Sequence, residues 1–203
     1  MNGRKEKVFG EYDIKDAEQL VRLARQAIAS GFAKENEGAE KIKLPEGRQF
    51  RQARGVFVTL MNWPGRQLRG CIGFPEPTLP LAQAVAEAAK NAAFHDPRFF
   101  PMKKEEINKI IIEISILTLP QKCEAKDVEI GRDGLIIEYV GYSGLLLPQV
   151  ATEHKMSRIE FLEAICQKAG LPRDSWQNKN CLLQKFQAQI FAEQEPDGKL
   201  EEK

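Results

Sequence analysis

The chain has 203 residues, 42% hydrophobic and 29% charged, and its 30 Lys and Arg against 29 Asp and Glu give a formal net charge of +1. That length can bury one substantial core or two small ones. The interspersed charge excludes an extended nucleic-acid surface, which needs a surplus of cations on one face.

The N-terminal "MNGRKEKVFGEYDI" is basic but has no apolar run behind it, so it does not read as a signal peptide. Residues 13–30 predict a helix: Asp13 can cap it, Ala17, Leu20, Ala24, Ala27 and Ile28 recur at helical spacing, and Gly31 stops it. Residues 33–49 are polar and read as a long surface loop. Val56 to Leu60 have strand composition, "WPGR" is turn chemistry and "LRGCIG" returns, which predicts a hairpin. Thr78 and Pro80 open a helix with Leu81, Val85, Ala88 and Ala92 along one side. In "KIIIEISILTLP" strict alternation puts Ile110, Ile112, Ile114 and Ile116 on one face and Ile111, Glu113, Ser115 and Leu117 on the other.

The second half repeats this order. "DGLIIEYVGYSGLLLP" reads as a Gly-turned hairpin, and "SRIEFLEAICQKAGLP" as a helix with a Ser157–Glu160 capping box, closed by Gly170 and Pro172. "LLQKFQAQIFAE" alternates as one last strand, and residues 193–203 read as a frayed tail. The expected architecture is therefore α+β. Within a single domain over 1–203, two subdomains at about 50–120 and about 121–192 each carry an antiparallel sheet with packed helices, with a cleft between them.

No run approaches 18 uninterrupted apolar residues, so no membrane span is expected. Cys71, Cys123, Cys166 and Cys181 form no CxxC pair, and His95 and His154 are the only histidines. Zinc-ribbon and thioredoxin-type chemistry are not expected, no metal site is assigned, and a reducing cytoplasmic setting is the default. With neither a Walker A loop nor a GxGxxG run, no cofactor can be named.

The stretch "QLRGCIGFPEP" concentrates the chemistry. In a regular strand Arg69 and Cys71 share a face, and a neighbouring cation favours the reactive thiolate. Gly70 and Gly73 would let a ligand or a second backbone approach closely. The competing reading makes Cys71 a small packing residue, as free cysteines commonly are. A Cys71–His95 nucleophile–base pair is conceivable, but a cation at a helix end has its own electrostatic reason. In "DPRF", Arg98 could clamp a carboxylate or phosphate, or Asp96 and Arg98 could simply brace a turn. Glu113, in an apolar strand, faces solvent, a cleft or a buried partner; a cleft would make it a candidate acid or base.

The ordered set "RGVFVTL", "LRGCIG", "DPRF", "IEISIL", "GLLLPQVA" and "FLEAICQKAGLP" resembles the AMMECR domain family across nearly the whole chain, "LRGCIG" being its signature. The resemblance implies an α+β protein with two subdomains and a cleft, and singles out Arg69, Gly70, Cys71, Gly73, Asp96, Arg98, Phe99 and Glu113. It implies no defined activity. Its prokaryotic members look like one component of gene groups that also hold a Memo-like protein and a radical-SAM protein, which names two kinds of partner. This chain has "DPRFFP" where the family has "DPRFPP", so Phe100 loosens the turn. Two functions stand. One is an enzyme or enzyme component acting on a small anionic or carbonyl-bearing substrate, with Cys71 as nucleophile, Glu113 handling protons and Arg69 and Arg98 orienting the substrate. The other is a non-catalytic module binding a ligand or partner protein.

Overall fold

The computed structural model describes residues 11–33 and 42–203. Most of the N-terminal segment and half of the 33–49 loop lie outside the described residues. In chain order the elements begin with α1 (Ile14–Ser30), α2 (Arg48–Arg51), β1 (Val56–Asn62), β2 (Leu68–Phe74), α3 (Leu81–Phe94) and β3 (Ile110–Leu117). They continue with β4 (Gln121–Lys122), β5 (Gly134–Tyr139), β6 (Tyr142–Leu146), α4 (Pro148–Glu153) and α5 (Arg158–Lys168). The last are β7 (Leu182–Phe186), β8 (Ala188–Glu193) and β9 (Leu200–Glu202). The chain is α+β, with antiparallel hairpins and helices packed on two sheets. Among the described residues no helix is long and apolar enough to cross a membrane.

One compact unit holds the described residues up to Leu117 together with Gln189–Lys203. Its sheet has the order β2-β1-β3-β8-β9, with β1 antiparallel to both β2 and β3. The helix α1 begins at a capping box in which the Asp16 N–H donates to Asp13 Oδ1 at 2.9 Å and the Asp13 N–H donates back to Asp16 Oδ2. Gly31 ends it with φ of −70°, not left-handed; glycine is needed there because a Cβ would run into the Phe94 ring of α3. The helix α3 lies across β1 and β2, and α1 packs on α3 and β3. Val56, Val58 and Leu60 join the four alternating isoleucines in the core beneath them, each burial stabilising by about 1.5–3 kcal/mol.

The other unit, Thr118–Ala188, carries the sheet β4-β7-β5-β6. The hairpin β5–β6 closes through Val140 and Gly141, both at positive φ (50° and 80°), the geometry of a two-residue primed turn. The helix α5 starts at the Ser157–Glu160 capping box, and Gly170, at φ of 75°, follows its end. Its core packs Leu135 and Ile137 of the sheet against Phe161, Leu162 and Ile165 of the helix.

Two expectations are corrected. "LLQKFQAQIFAE" is not one strand: β7 belongs to one sheet and β8 to the other, with the break at Gln187, whose N–H donates to Thr118 Oγ1 at 2.9 Å. Alternation continues across the break, so hydrophobic pattern alone cannot reveal it. The tail at 193–203 is not frayed. "PDG" reverses the chain with Asp197 at φ of 55°, and β9 pairs antiparallel with β8. The Asp-Gly turn was the available signal, masked by the surrounding charge.

Candidate functional site

Edge strand β2 carries Cys71, and its register with β1 sets Cys71 directly opposite Thr59. The backbone polar groups of Cys71 point away from β1. Its N–H donates to Asp96 Oδ2 at 2.8 Å and its carbonyl accepts from Arg98 Nη2 at 3.1 Å. Asp96 and Arg98 thus stand where a neighbouring strand would, and they close this stretch of the sheet edge with side chains. Cys71 and Thr59 consequently form a non-hydrogen-bonded antiparallel pair, the kind whose side chains approach most closely. The Thr59 hydroxyl donates to Cys71 Sγ at 3.3 Å.

Across β1, Thr59 is also in register with Glu113 of β3. Cys71, Thr59 and Glu113 therefore form one row over three adjacent strands, on the face opposite the isoleucine core. Glu113 is 14% exposed at its side chain and accepts from Lys203 Nζ at 2.5 Å. An isolated carboxylate there would be costly; the ammonium compensates it.

Arg69 departs from simple alternation. The register steps from Leu60↔Gly70 to Met61↔Leu68, so Arg69 is an extra, bulged residue. Its guanidinium turns to Glu106, with Nε donating at 2.8 Å, and to the Phe100 carbonyl at 3.0 Å. That bond to Arg69 holds the Glu106 carboxyl below its ordinary range against the opposing effect of burial. The expectation that Arg69 serves Cys71 from the same face is thereby corrected: the bulge re-aims it and Glu106 takes its charge. Phe99 lies beneath both guanidinium groups, 5.9 Å from that of Arg69 and 5.6 Å from that of Arg98.

The glycines answer to packing. A Cβ on Gly70 would overlap the Ala92 carbonyl of α3, and one on Gly73 would strike the Phe57 ring and the Val56 carbonyl. The second backbone is the one that approaches at Gly70. His95 caps α3 through its own N–H, and its side chain is exposed. Among the described residues no group of three His, Cys, Asp or Glu could hold a metal ion.

Asp96 is the electrostatic centre of this arrangement. It is buried, while Arg98 is 54% exposed at its side chain. Hydrogen bonds from the Arg98 guanidinium hold the Asp96 carboxyl well below the usual carboxylate range; burial opposes this, and the Cys71 and Arg98 N–H groups add to it. A carboxyl depressed in the fold contributes stability that is present above its unfolded value and lost as pH falls toward its folded one. Asp96→Asn is expected to cost about 2 kcal/mol at neutral pH. The gap between wild type and variant should narrow below about pH 4. Urea midpoints measured from neutral to strongly acid pH test this, and a gap independent of pH would contradict it.

Sequence reasoning missed Thr59, Glu106 and Lys203. Counting back from the "WPGR" turn places Gly70 opposite Thr59, one residue out, because the bulge at Arg69 is invisible in composition.

The chain matches the AMMECR1 family over residues 21–191. It is 47% identical over 192 residues to Protein TV1384 of Thermoplasma volcanium, covering 91% of this chain and 93% of that one. It is 46% identical over 199 residues to Protein MK0488 of Methanopyrus kandleri, covering 94% of each. The crystal structure of an uncharacterized protein, PH0010 from Pyrococcus horikoshii, superposes with a TM-score of 0.80 at 42% identity, covering 94% of this chain and 98% of that one. With a family match over most of its length and relatives this similar along both chains, the protein belongs to the AMMECR1 family.

Proposed function

We propose that the row Cys71–Thr59–Glu113 is the reactive centre of an enzyme, or enzyme component, acting on a small anionic or carbonyl-bearing substrate. Cys71 adds through sulfur to the substrate carbonyl carbon, whose π electrons move to its oxygen. Thr59, which stands between Cys71 and Glu113 in the row, orients the sulfur and relays the proton: its oxygen takes the thiol proton and its own hydroxyl proton passes to Glu113. The solvent-facing edge of Arg98 draws in the substrate's negative group. The observation that carries this reading is the Thr59 hydroxyl bond to Cys71 Sγ at 3.3 Å, within an in-register row that ends on a carboxylate. All four cysteines are free thiols, which fits a reducing cytoplasmic setting.

The other three cysteines provide the internal control. Burial pushes the thiols of Cys123, Cys166 and Cys181 up from their ordinary value. Iodoacetamide alkylation near neutral pH, followed by peptide mass spectrometry, should modify Cys71 first, by about tenfold or more over the others. Thr59→Val should slow it. Alkylation of Cys71 no faster than the other three sinks the thiol-enzyme reading. The second reading, a groove for a partner protein, draws on Phe100, which is 92% exposed beside this motif. It assigns Cys71 no privileged reactivity, so the same experiment separates the two.

A further inference from the structure

Cys71 has neighbours of different chemistry on three sides. Thr59 stands on the β1 side, its hydroxyl donating to Sγ at 3.3 Å. Arg98 stands on the outer edge of β2, with Nη2 donating to the Cys71 carbonyl at 3.1 Å. Along β2 the next residue on the same face is Gly73, and the Phe57 ring leans into the space that its Cβ would take. Cys71, Thr59 and Phe57 are all half-buried, so the thiol meets solvent beside an apolar wall.

A guanidinium has five N–H donors. In Arg98, Nε and one Nη2 proton hold the Asp96 carboxylate at 2.9 and 2.7 Å, and the other Nη2 proton holds the Cys71 carbonyl. The two N–H groups of Nη1 meet no acceptor among the described residues, and the side chain is 54% exposed. The Asp96 hydrogen bond pushes Arg98 up from its ordinary value against the effect of burial, and the Cys71 side chain adds to the rise. Guanidinium and sulfur are thus close neighbours, with unspent donors on the solvent side.

That closeness limits the substrate. An anionic group on Nη1 and an electrophilic carbon on Sγ must sit next to each other in one molecule, because Nη2 already touches the residue that carries the sulfur. A carboxylate bonded directly to the carbonyl carbon meets this limit. A carboxylate several carbons away would carry its carbonyl past the thiol.

On the reading of Cys71 as nucleophile, on which this inference rests, we propose that the substrate is a short 2-oxo acid. Its carboxylate accepts from Arg98 Nη1, its carbonyl carbon meets Cys71 Sγ, and its substituent lies on the Phe57 ring. Sulfur forms a bond to that carbon as its proton leaves through Thr59 to Glu113. The carbonyl π pair moves to oxygen, where the Arg98 cation stabilises the alkoxide. The proton on Glu113 then returns through water to that oxygen. A thiol has added across a carbonyl, and no oxidant, reductant or co-reactant is consumed.

Pyruvate is expected to slow iodoacetamide labelling of Cys71 in the intact chain, saturably and by about tenfold or more, as read by peptide mass spectrometry. Labelling of Cys123, Cys166 and Cys181 should not change. Three further probes each lack one feature: lactate has no carbonyl, acetone has no carboxylate, and 4-oxopentanoate holds the two apart. Each should protect about tenfold or more weakly. Arg98→Gln should reduce protection by pyruvate to the level of acetone, and the comparison of probes on the wild-type chain stands even if that variant does not fold. Cys71 labelling no faster than that of the other cysteines, with no probe present, removes the thiol-enzyme reading and the 2-oxo acid with it. Privileged labelling that pyruvate leaves unchanged, or that any of the other three probes slows equally, keeps the thiol-enzyme reading and overturns the 2-oxo acid.

Discussion

Replacing Arg25 with alanine is expected to lower stability by about 3–5 kcal/mol, a fall in melting temperature of roughly 10–15 °C for a chain of this size. Arg25 leaves α1 and ties it to two strands. Nε and Nη2 donate to the Glu193 carboxylate of β8 at 2.8 and 2.5 Å. Nη1 donates to the Ile107 carbonyl in the helical turn before β3 and Nη2 to the Ile110 carbonyl at the start of β3, each at 3.0 Å. Glu193 is 1% exposed, so truncating its partner strands a buried charge together with two carbonyls. Arg25→Lys should recover only part of the loss, because a single ammonium cannot reproduce a fork that reaches four acceptor atoms at once. Pairing Arg25→Met with Glu193→Leu should cost less than the single alanine change. It leaves the Ile107 and Ile110 carbonyls and the Ile112 N–H without their partners, but it removes both charges, so no ion is left buried and unpaired. A melting temperature for Arg25→Ala within about 2 °C of wild type would show that the pair contributes little net.

Gly70→Ala is expected to cost about 3 kcal/mol or more. The added methyl would lie 2.1 Å from the Ala92 carbonyl oxygen, a backbone atom of α3. No rotamer change relieves such a clash, so the helix must lift from β2 or the strand must leave its register. Ala92→Gly in the same chain should therefore fail to rescue it, since truncating a side chain does not move a carbonyl. A Gly70→Ala protein that melts with wild type but loses the Cys71 reaction would mean that the glycine serves a ligand and not the helix. Thermal unfolding beside iodoacetamide labelling separates those outcomes.

Much of the fold was legible along the chain because its cues are local. Asp13 and Ser157 are followed at helical distance by Asp16 and Glu160, and both pairs form their capping boxes. The isoleucines of β3 alternate, and alternation assigns a face wherever one side of a sheet is covered. "LRGCIG" and "DPRF" stand either end of α3, which returns the chain to the strand it left, and the Asp96 carboxylate meets the Cys71 N–H.

What the chain alone could not decide is pairing between distant residues. The bulge at Arg69 depends on how β2 settles against β1, and one extra residue there moves Thr59 from Gly70 to Cys71 and sends the guanidinium to Glu106. Arg25 and Glu193 are 168 residues apart, and Glu113 and Lys203 are 90 apart. Nothing in their neighbours marks them as partners. The change of sheet at Gln187 is equally silent, since alternation is the same on either side of it. Helices, turns and strand faces follow from steric and hydrogen-bonding preferences within a few residues. Register and long-range charge pairs are selected only when whole elements pack, because the energy that chooses between one register and the next is the burial of an entire face.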